Sequence, residues 1–132
     1  MPPKMTIRQR RAMRTRFLLA LRELDEAWVA VFHQVGLSDI YFSRLFTELW
    51  LRDAAALPKT DAYALVQGVS AQTATKYVKR AISEGYLEET ANPADGRSRL
   101  LRMSPLLRAR FEQVIDRANE AFVSVFLHRK AV

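Results

Sequence analysis

The polar side chains between Gly68 and Arg99 are spaced for hydrogen bonding and charge neutralisation rather than for covalent chemistry. After Gly68-Val69-Ser70 come Gln72, Thr73, Thr75 and Lys76, then Lys79 and Arg80. They share one stretch with Ala74, Tyr77, Val78 and Ala81, which form its apolar side. Gln and Thr can read the edges of nucleobases, and Lys and Arg reach guanine or phosphate. On the polar side there is no acidic residue until Glu84. Further on, Asp95-Gly96 makes turn chemistry with Arg97 and Arg99 beside it. An arginine on a turn tip can follow a phosphate backbone or enter a narrow minor groove. Asp95, two residues before Arg97, is placed to hold that guanidinium by a charge-assisted hydrogen bond. The same residues would also make an ordinary solvated helix face and a well-formed turn.

Other chemistries find no support. There are no cysteines, which removes disulfides, thiolate zinc sites and cysteine redox sensing. His33 and His128 have no carboxylate or second histidine at ligand spacing, so no metal site is expected. Phosphate loops, nucleophile elbows and dinucleotide fingerprints are missing. The carboxylates of Asp25-Glu26 and Glu88-Glu89 are sequence neighbours and so point apart. Neither an enzyme nor a cofactor is expected.

The elements that must position these residues can be read from spacing. Thr6 and Gln9 form a capping box, so a helix starts near Ile7. Phe17, Leu21, Leu24, Trp28, Val31 and Val35 make one apolar stripe along it, with Gly36 as a stop and Ser38 as a restart. Ile40, Phe42, Leu45, Phe46, Leu49 and Trp50 form a second helix, and Asp53 to Pro58 reads as a connection. A short helix from Thr60 to Gln67 precedes Gly68, whose freedom suits a tight turn. Ser70 then caps a further helix that Gly85 ends, and the free amides at such a capped end suit a phosphate. Tyr86 to Thr90 and Arg99 to Met103 read as the strands of a hairpin, closed by Asn92-Pro93 and Asp95-Gly96. Ser104-Pro105 opens a last helix with the stripe Leu107, Phe111, Val114, Ala118, Ala121 and Val125.

Bulk properties agree with this plan. The 132 residues, 49% of them hydrophobic, make one domain with a real core. A net charge of +7 favours a polyanionic partner, nucleic acid or less often an anionic membrane surface. Lys4, Arg8, Arg10, Arg11, Arg14 and Arg16 form a basic run that reads equally as a phosphate contact, a solvated face or an arm. No apolar run approaches the roughly 20 residues of a membrane span, no signal peptide is evident, and a cytoplasmic location is expected.

The segment G-V-S-A-Q-T-A-T-K-Y-V-K-R-A-I-S-E-G-Y-L, with D-G-R at the following turn and R-M-S-P ahead of a long helix, resembles the winged-helix core of MarR-family transcriptional regulators. The resemblance runs from about Lys59 to Arg110 and departs from the family pattern at Gln67 and Leu106-Leu107. It implies a mainly α protein with a small β-hairpin wing, a winged helix-turn-helix flanked by long N- and C-terminal dimerisation helices. Residues 1–37 would hold the first of these helices with a basic arm, 38–104 the winged helix, and 105–132 the second dimerisation helix. It further implies that Gln72, Thr73, Thr75 and Lys76 lie on a recognition helix. Asp95 and Arg97 would be the wing pair whose arginine reaches DNA.

Two long striped helices are more than one small winged helix can cover, and such stripes commonly pack against a second copy. Phe17, Leu21, Leu24, Trp28, Phe111, Val114, Phe122 and Phe126 are the expected dimer surface; the alternative is that they close a monomeric helical core. Trp28, Phe32, Tyr41, Phe46 and Trp50 could line a small-molecule effector pocket at the junction with the winged helix, though aromatics at helical spacing usually form core. The expectation is a homodimeric, sequence-specific binder of double-stranded DNA acting as a repressor. A winged-helix protein-interaction module and an RNA binder are the competing readings.

Overall fold

The computed structural model describes residues 4–33, 41–52 and 55–130. Within them the order is α1 (Ile7–Phe32), α2 (Phe42–Arg52), β1 (Leu57–Pro58), α3 (Lys59–Leu65), α4 (Ala71–Ser83), β2 (Leu87–Ala91), β3 (Arg99–Met103) and α5 (Pro105–Lys130). Val35, Gly36, Ser38, Ile40 and Asp53, and the side chain of His128, lie outside the described residues. The chain packs as two compact units, Phe32–Phe111 and the pair Met1–Val31 with Glu112–Val132. Their limits fall inside α1 and α5. The fold is a mainly helical winged helix with long terminal helices.

In the first unit, α2 buries Phe42, Leu45, Phe46 and Leu49, as its spacing predicts. Phe46 sits at the centre of an aromatic cluster, with ring centroids 5.6 Å from Phe32, 5.3 Å from Phe42 and, edge to face, 6.3 Å from Phe111. Such pairs add about 0.5–1.5 kcal/mol each beyond area burial. Phe32 and Phe46 are therefore core. A three-stranded antiparallel sheet of order β1-β3-β2 covers the other side, pairing Leu57 with Leu101 and Leu87 with Met103. β1 corrects the reading of Asp53 to Pro58 as connection only. Two residues carry no alternation to read, and proline is confined to such edge positions because it donates no ladder hydrogen bond.

In the second unit, α1 and α5 pair. The capping box opens α1 as expected: the Thr6 amide donates to Gln9 Oε1 at 2.9 Å and the Gln9 amide to Thr6 Oγ1 at 3.1 Å. At the start of α5, the Leu107 amide donates to Ser104 Oγ at 3.1 Å. Phe17 meets Phe122 at 5.4 Å, and Arg117 Nε donates to Glu23 Oε1 at 2.6 Å. The fully buried residues of α1 here are Ala20 and Ala27. The stripe of larger residues is turned partly away: Leu21, Leu24, Trp28 and Val31 are half-buried.

The expected dimer surface divides. Phe17 is 51% exposed and Phe126 61%, whereas Phe111 is 5% and Val114 0%. Phe111 and Val114 are thus core of the single chain, which corrects their placement on a partner-facing surface. A helical stripe shows which residues leave water, not which body covers them. Leu21, Leu24, Trp28 and Phe122 are half-buried. No helix among the described residues is long and apolar enough to cross a membrane.

Candidate nucleic-acid interface

α3 ends with the Val66 amide bonded to Tyr63 O, and Gly68 takes a positive φ of 85° that lets the chain turn sharply into α4. Ser70 caps α4 from an extended backbone (φ −66°, ψ 160°). Its Oγ accepts from the Thr73 amide at 3.1 Å and donates to Thr73 Oγ1 at 3.0 Å. Both hydroxyl functions of Ser70 are therefore used locally. Thr75 Oγ1 donates back to Ala71 O at 2.9 Å. Ala74, Val78 and Ala81 are buried under α4, and Tyr77 is half-buried.

What α4 leaves outward is Gln72, Lys76, Lys79 and Arg80, all exposed. The helix ends in a Schellman motif: the Tyr86 amide bonds Ala81 O at 2.9 Å and the Gly85 amide bonds Ile82 O at 3.0 Å, with Gly85 at φ 79°. This stop throws the chain directly into β2.

The wing turn is built from two Asx-type hydrogen bonds. Asn92 Oδ1 accepts from the Ala94 amide and Asp95 Oδ1 from the Arg97 amide, each at 3.0 Å. The Asp95 contact corrects the expectation that its carboxylate holds the Arg97 guanidinium. The backbone amide two residues on is the nearer donor, so Asp95 shapes the turn and leaves the exposed Arg97 side chain to solvent. Arg99 behaves differently. Its Nε donates to Glu89 Oε1 at 3.3 Å, and Lys59 Nζ donates to the same oxygen at 3.0 Å. The hydrogen bond from Lys59, aided by its charge and by Arg99, holds the Glu89 carboxyl below its ordinary value of 4.5 against the opposing effect of burial. On the opposed cross-strand pair, Arg102 Nε and Nη2 both reach Glu88 Oε2, at 3.2 and 3.0 Å.

The structure thus brings Gln72, Lys76, Lys79 and Arg80 onto one exposed helix and presents Arg97 on the wing tip. It engages Ser70, Thr73 and Thr75 in capping and helix contacts, and ties Arg99 to Glu89. Lys59 is a cation that reading along the chain does not reveal as part of this site. Its partner lies thirty residues away, a distance that no local spacing signals. No cluster of three metal-ligating side chains occurs among the described residues.

No family model and no curated protein matches the chain. Solved structures do. A transcriptional regulator from Thermotoga maritima is similar at 25% identity and TM-score 0.60, covering 83% of this chain and 77% of that one. A mutant MarR from E. coli, complexed with operator DNA, is similar at 18% identity and TM-score 0.55, covering 83% and 76%. A MarR family transcriptional regulator from Streptomyces coelicolor, in complex with DNA, is similar at 13% identity and TM-score 0.57, covering 98% and 79%. The class defined by this architecture is the winged helix with long terminal helices. More narrowly, the fold is that of the MarR-family transcriptional regulators.

Proposed function

We propose that the protein is a sequence-specific regulator of transcription that binds double-stranded DNA as a homodimer and represses by occupying a pseudo-palindromic operator. The observation that carries this reading is α4 itself. Its N-terminus is capped by Ser70, and its exposed side carries Gln72, Lys76, Lys79 and Arg80 with no carboxylate before Glu84. Gln72 and Lys76 have the chemistry to read base edges; Lys79 and Arg80 suit phosphates. Arg97, on a turn whose backbone is braced by Asp95, suits the adjacent minor groove or backbone. Thr73 Oγ1 accepts from Ser70 and keeps its own hydrogen to donate to a phosphate or base, Thr75 has spent its hydrogen on Ala71 O and can only accept from a base, and Ser70 serves by ordering the helix end. Arg99 would join only by exchanging or sharing its contact with Glu89.

The dimer rests on Phe17 and Phe126, large and exposed, with Leu21, Leu24, Trp28 and Phe122 beside them on the same helices. Two-fold symmetry would set two α4 helices roughly 34 Å apart, one turn of DNA. That two structures of this fold were solved with DNA supports the same reading.

The test is selection of duplexes from a random pool at near-physiological salt. The expected product is a two-fold repeat with half-sites one turn apart, bound with a steep salt dependence. Equal affinity for random and selected duplexes, or a flat salt response, would overturn the reading in favour of a protein-interaction module.

A further inference from the structure

The positive charge of this protein is not distributed over its fold. Seven of the 21 lysines and arginines, and none of the 14 acids, precede Glu23; the rest of the chain carries 14 of each and is neutral. The whole excess of +7 therefore lies in the first 22 residues. Six of the seven cations are arginines. Those from Arg8 to Arg16 stand on the first three turns of α1, held helical by the Thr6–Gln9 capping box.

Arg8, Arg10, Arg11 and Arg14 are exposed and, among the described residues, make no ion pair. Helical geometry turns Arg8, Arg11 and Arg14 away from the buried Ala20 and Ala27, with Arg10 on the flank. This arrangement opposes folding. Cations at a helix N-terminus face the positive end of the helix dipole, and Arg8/Arg11 and Arg10/Arg14 are like-charge neighbours at three and four residues. An anionic partner removes both penalties. Arginine's planar fork matches phosphate oxygens in pairs. The segment between Ile7 and Arg16 has only Ile7, Ala12 and Met13 as apolar residues, too few for the apolar face that a membrane-lying helix needs.

We infer that the N-terminal turns of α1 are a second nucleic-acid contact, a sequence-independent clamp on duplex phosphates that supplies general affinity while α4 supplies discrimination. The inference rests on the reading of the protein as a DNA-binding regulator, but it makes its own predictions.

The experiment compares the full chain with a variant in which Arg8, Arg10, Arg11 and Arg14 are replaced by Gln, and with one in which they are replaced by Lys. Each is measured on random and on selected duplexes from 50 to 200 mM salt. Four lost phosphate contacts should lower the log–log salt slope by up to about 3.6, so the affinity drop across that range shrinks by about 100-fold. The Gln variant should weaken random and selected duplexes by the same factor, keep their ratio, and melt no lower than the parent. The Lys variant should retain most of the slope. An unchanged slope in the Gln variant overturns the inference, even with an operator in hand. So does a loss of dimer mass in place of duplex affinity, or binding to vesicles of anionic phospholipid that the Gln variant loses while duplex binding stays intact. Random-duplex binding that depends on these arginines, without any selected sequence, would support the clamp and overturn the operator reading instead.

Discussion

Tyr41 lies against the turn glycine Gly68 so closely that a Cβ on the glycine would stand 2.7 Å from Tyr41 Cε1. The same ring stacks on Tyr77 of α4, with centroids 6.2 Å apart and planes at 23°. One aromatic side chain from just before α2 thus touches both the turn and the helix that the turn launches. Gly68 is needed twice over, for its positive φ and for the space under that ring.

Gly68→Ala should therefore destabilise the protein by about 1–2 kcal/mol from the left-handed backbone alone, with the clash added. Tyr41→Ala in the same chain should relieve the clash and leave the backbone cost. A double-mutant cycle by urea denaturation is expected to return a coupling of about 0.5–3 kcal/mol. Additive effects would show that the ring gives way freely.

Ser70 separates helix order from DNA contact. Ser70→Ala removes the acceptor of the Thr73 amide and should cost about 0.5–2 kcal/mol. Ser70→Asp keeps an acceptor and suits the positive end of the helix dipole, so stability should hold. The added carboxylate should nevertheless repel phosphate at that end, and duplex affinity should fall. Thermal melting and duplex titration on the same two variants check both halves.

The wing makes a distinction between carboxylate and acceptor. Asp95 bonds an amide, so Asp95→Asn should preserve the turn and duplex affinity, whereas Asp95→Ala should loosen both. Hydrogen exchange at the Arg97 amide should quicken in the Ala variant only. Arg97→Ala should weaken selected and random duplexes alike, and Lys76→Ala or Gln72→Ala should cost discrimination instead.

Glu89 predicts a pH dependence. Its folded pKa is lowered, first by the hydrogen bond from Lys59, so the unfolded chain binds a proton more readily than the fold does. The contribution is complete above 4.5, and it is lost as pH falls through the lower value of the folded state. Its size at neutral pH should be about 0.2–1 kcal/mol, as expected for a partly exposed pair. Urea melts of Glu89→Gln and the parent should differ by that amount at pH 7 and converge as the pH falls below 4.5.

The terminal helices predict two kinds of failure. Phe111→Ala empties a buried site against Phe46 and should cost about 3–5 kcal/mol. Phe126→Asp changes an exposed side chain and should leave the single chain folded while lowering the mass in solution to that of a monomer. Sedimentation of both variants distinguishes core from partner surface.

Local chemistry makes much of this fold legible in the sequence. The Thr6–Gln9 box, the Ser70 cap, the turn at Gly68, the stop at Gly85 and the limits of β3 each depend on residues within a few positions of one another. The outward face of α4 was legible for the same reason. Elsewhere the controlling partner is distant or indistinguishable along the chain. Leu57 becomes a strand only because Leu101 lies beside it, and Lys59 joins the wing only through Glu89. Asp95 has an amide and a guanidinium of the same residue within reach, and spacing does not rank them. Phe111 and Phe126 are both expected on a partner-facing surface, yet only the first is covered by its own chain.

The outermost strand of the sheet is two residues long and finishes at Pro58, whose nitrogen carries no hydrogen. An unrelated strand arriving at that edge finds almost nothing to zip onto. The opposite border, β2, carries Glu88 and Glu89, both already engaged with cations of their own chain. The wing is thereby kept from sticking to other wings. A hairpin with such borders can stand out from the fold without fibrous clumping, and this small strand is what blunts its exposed rim.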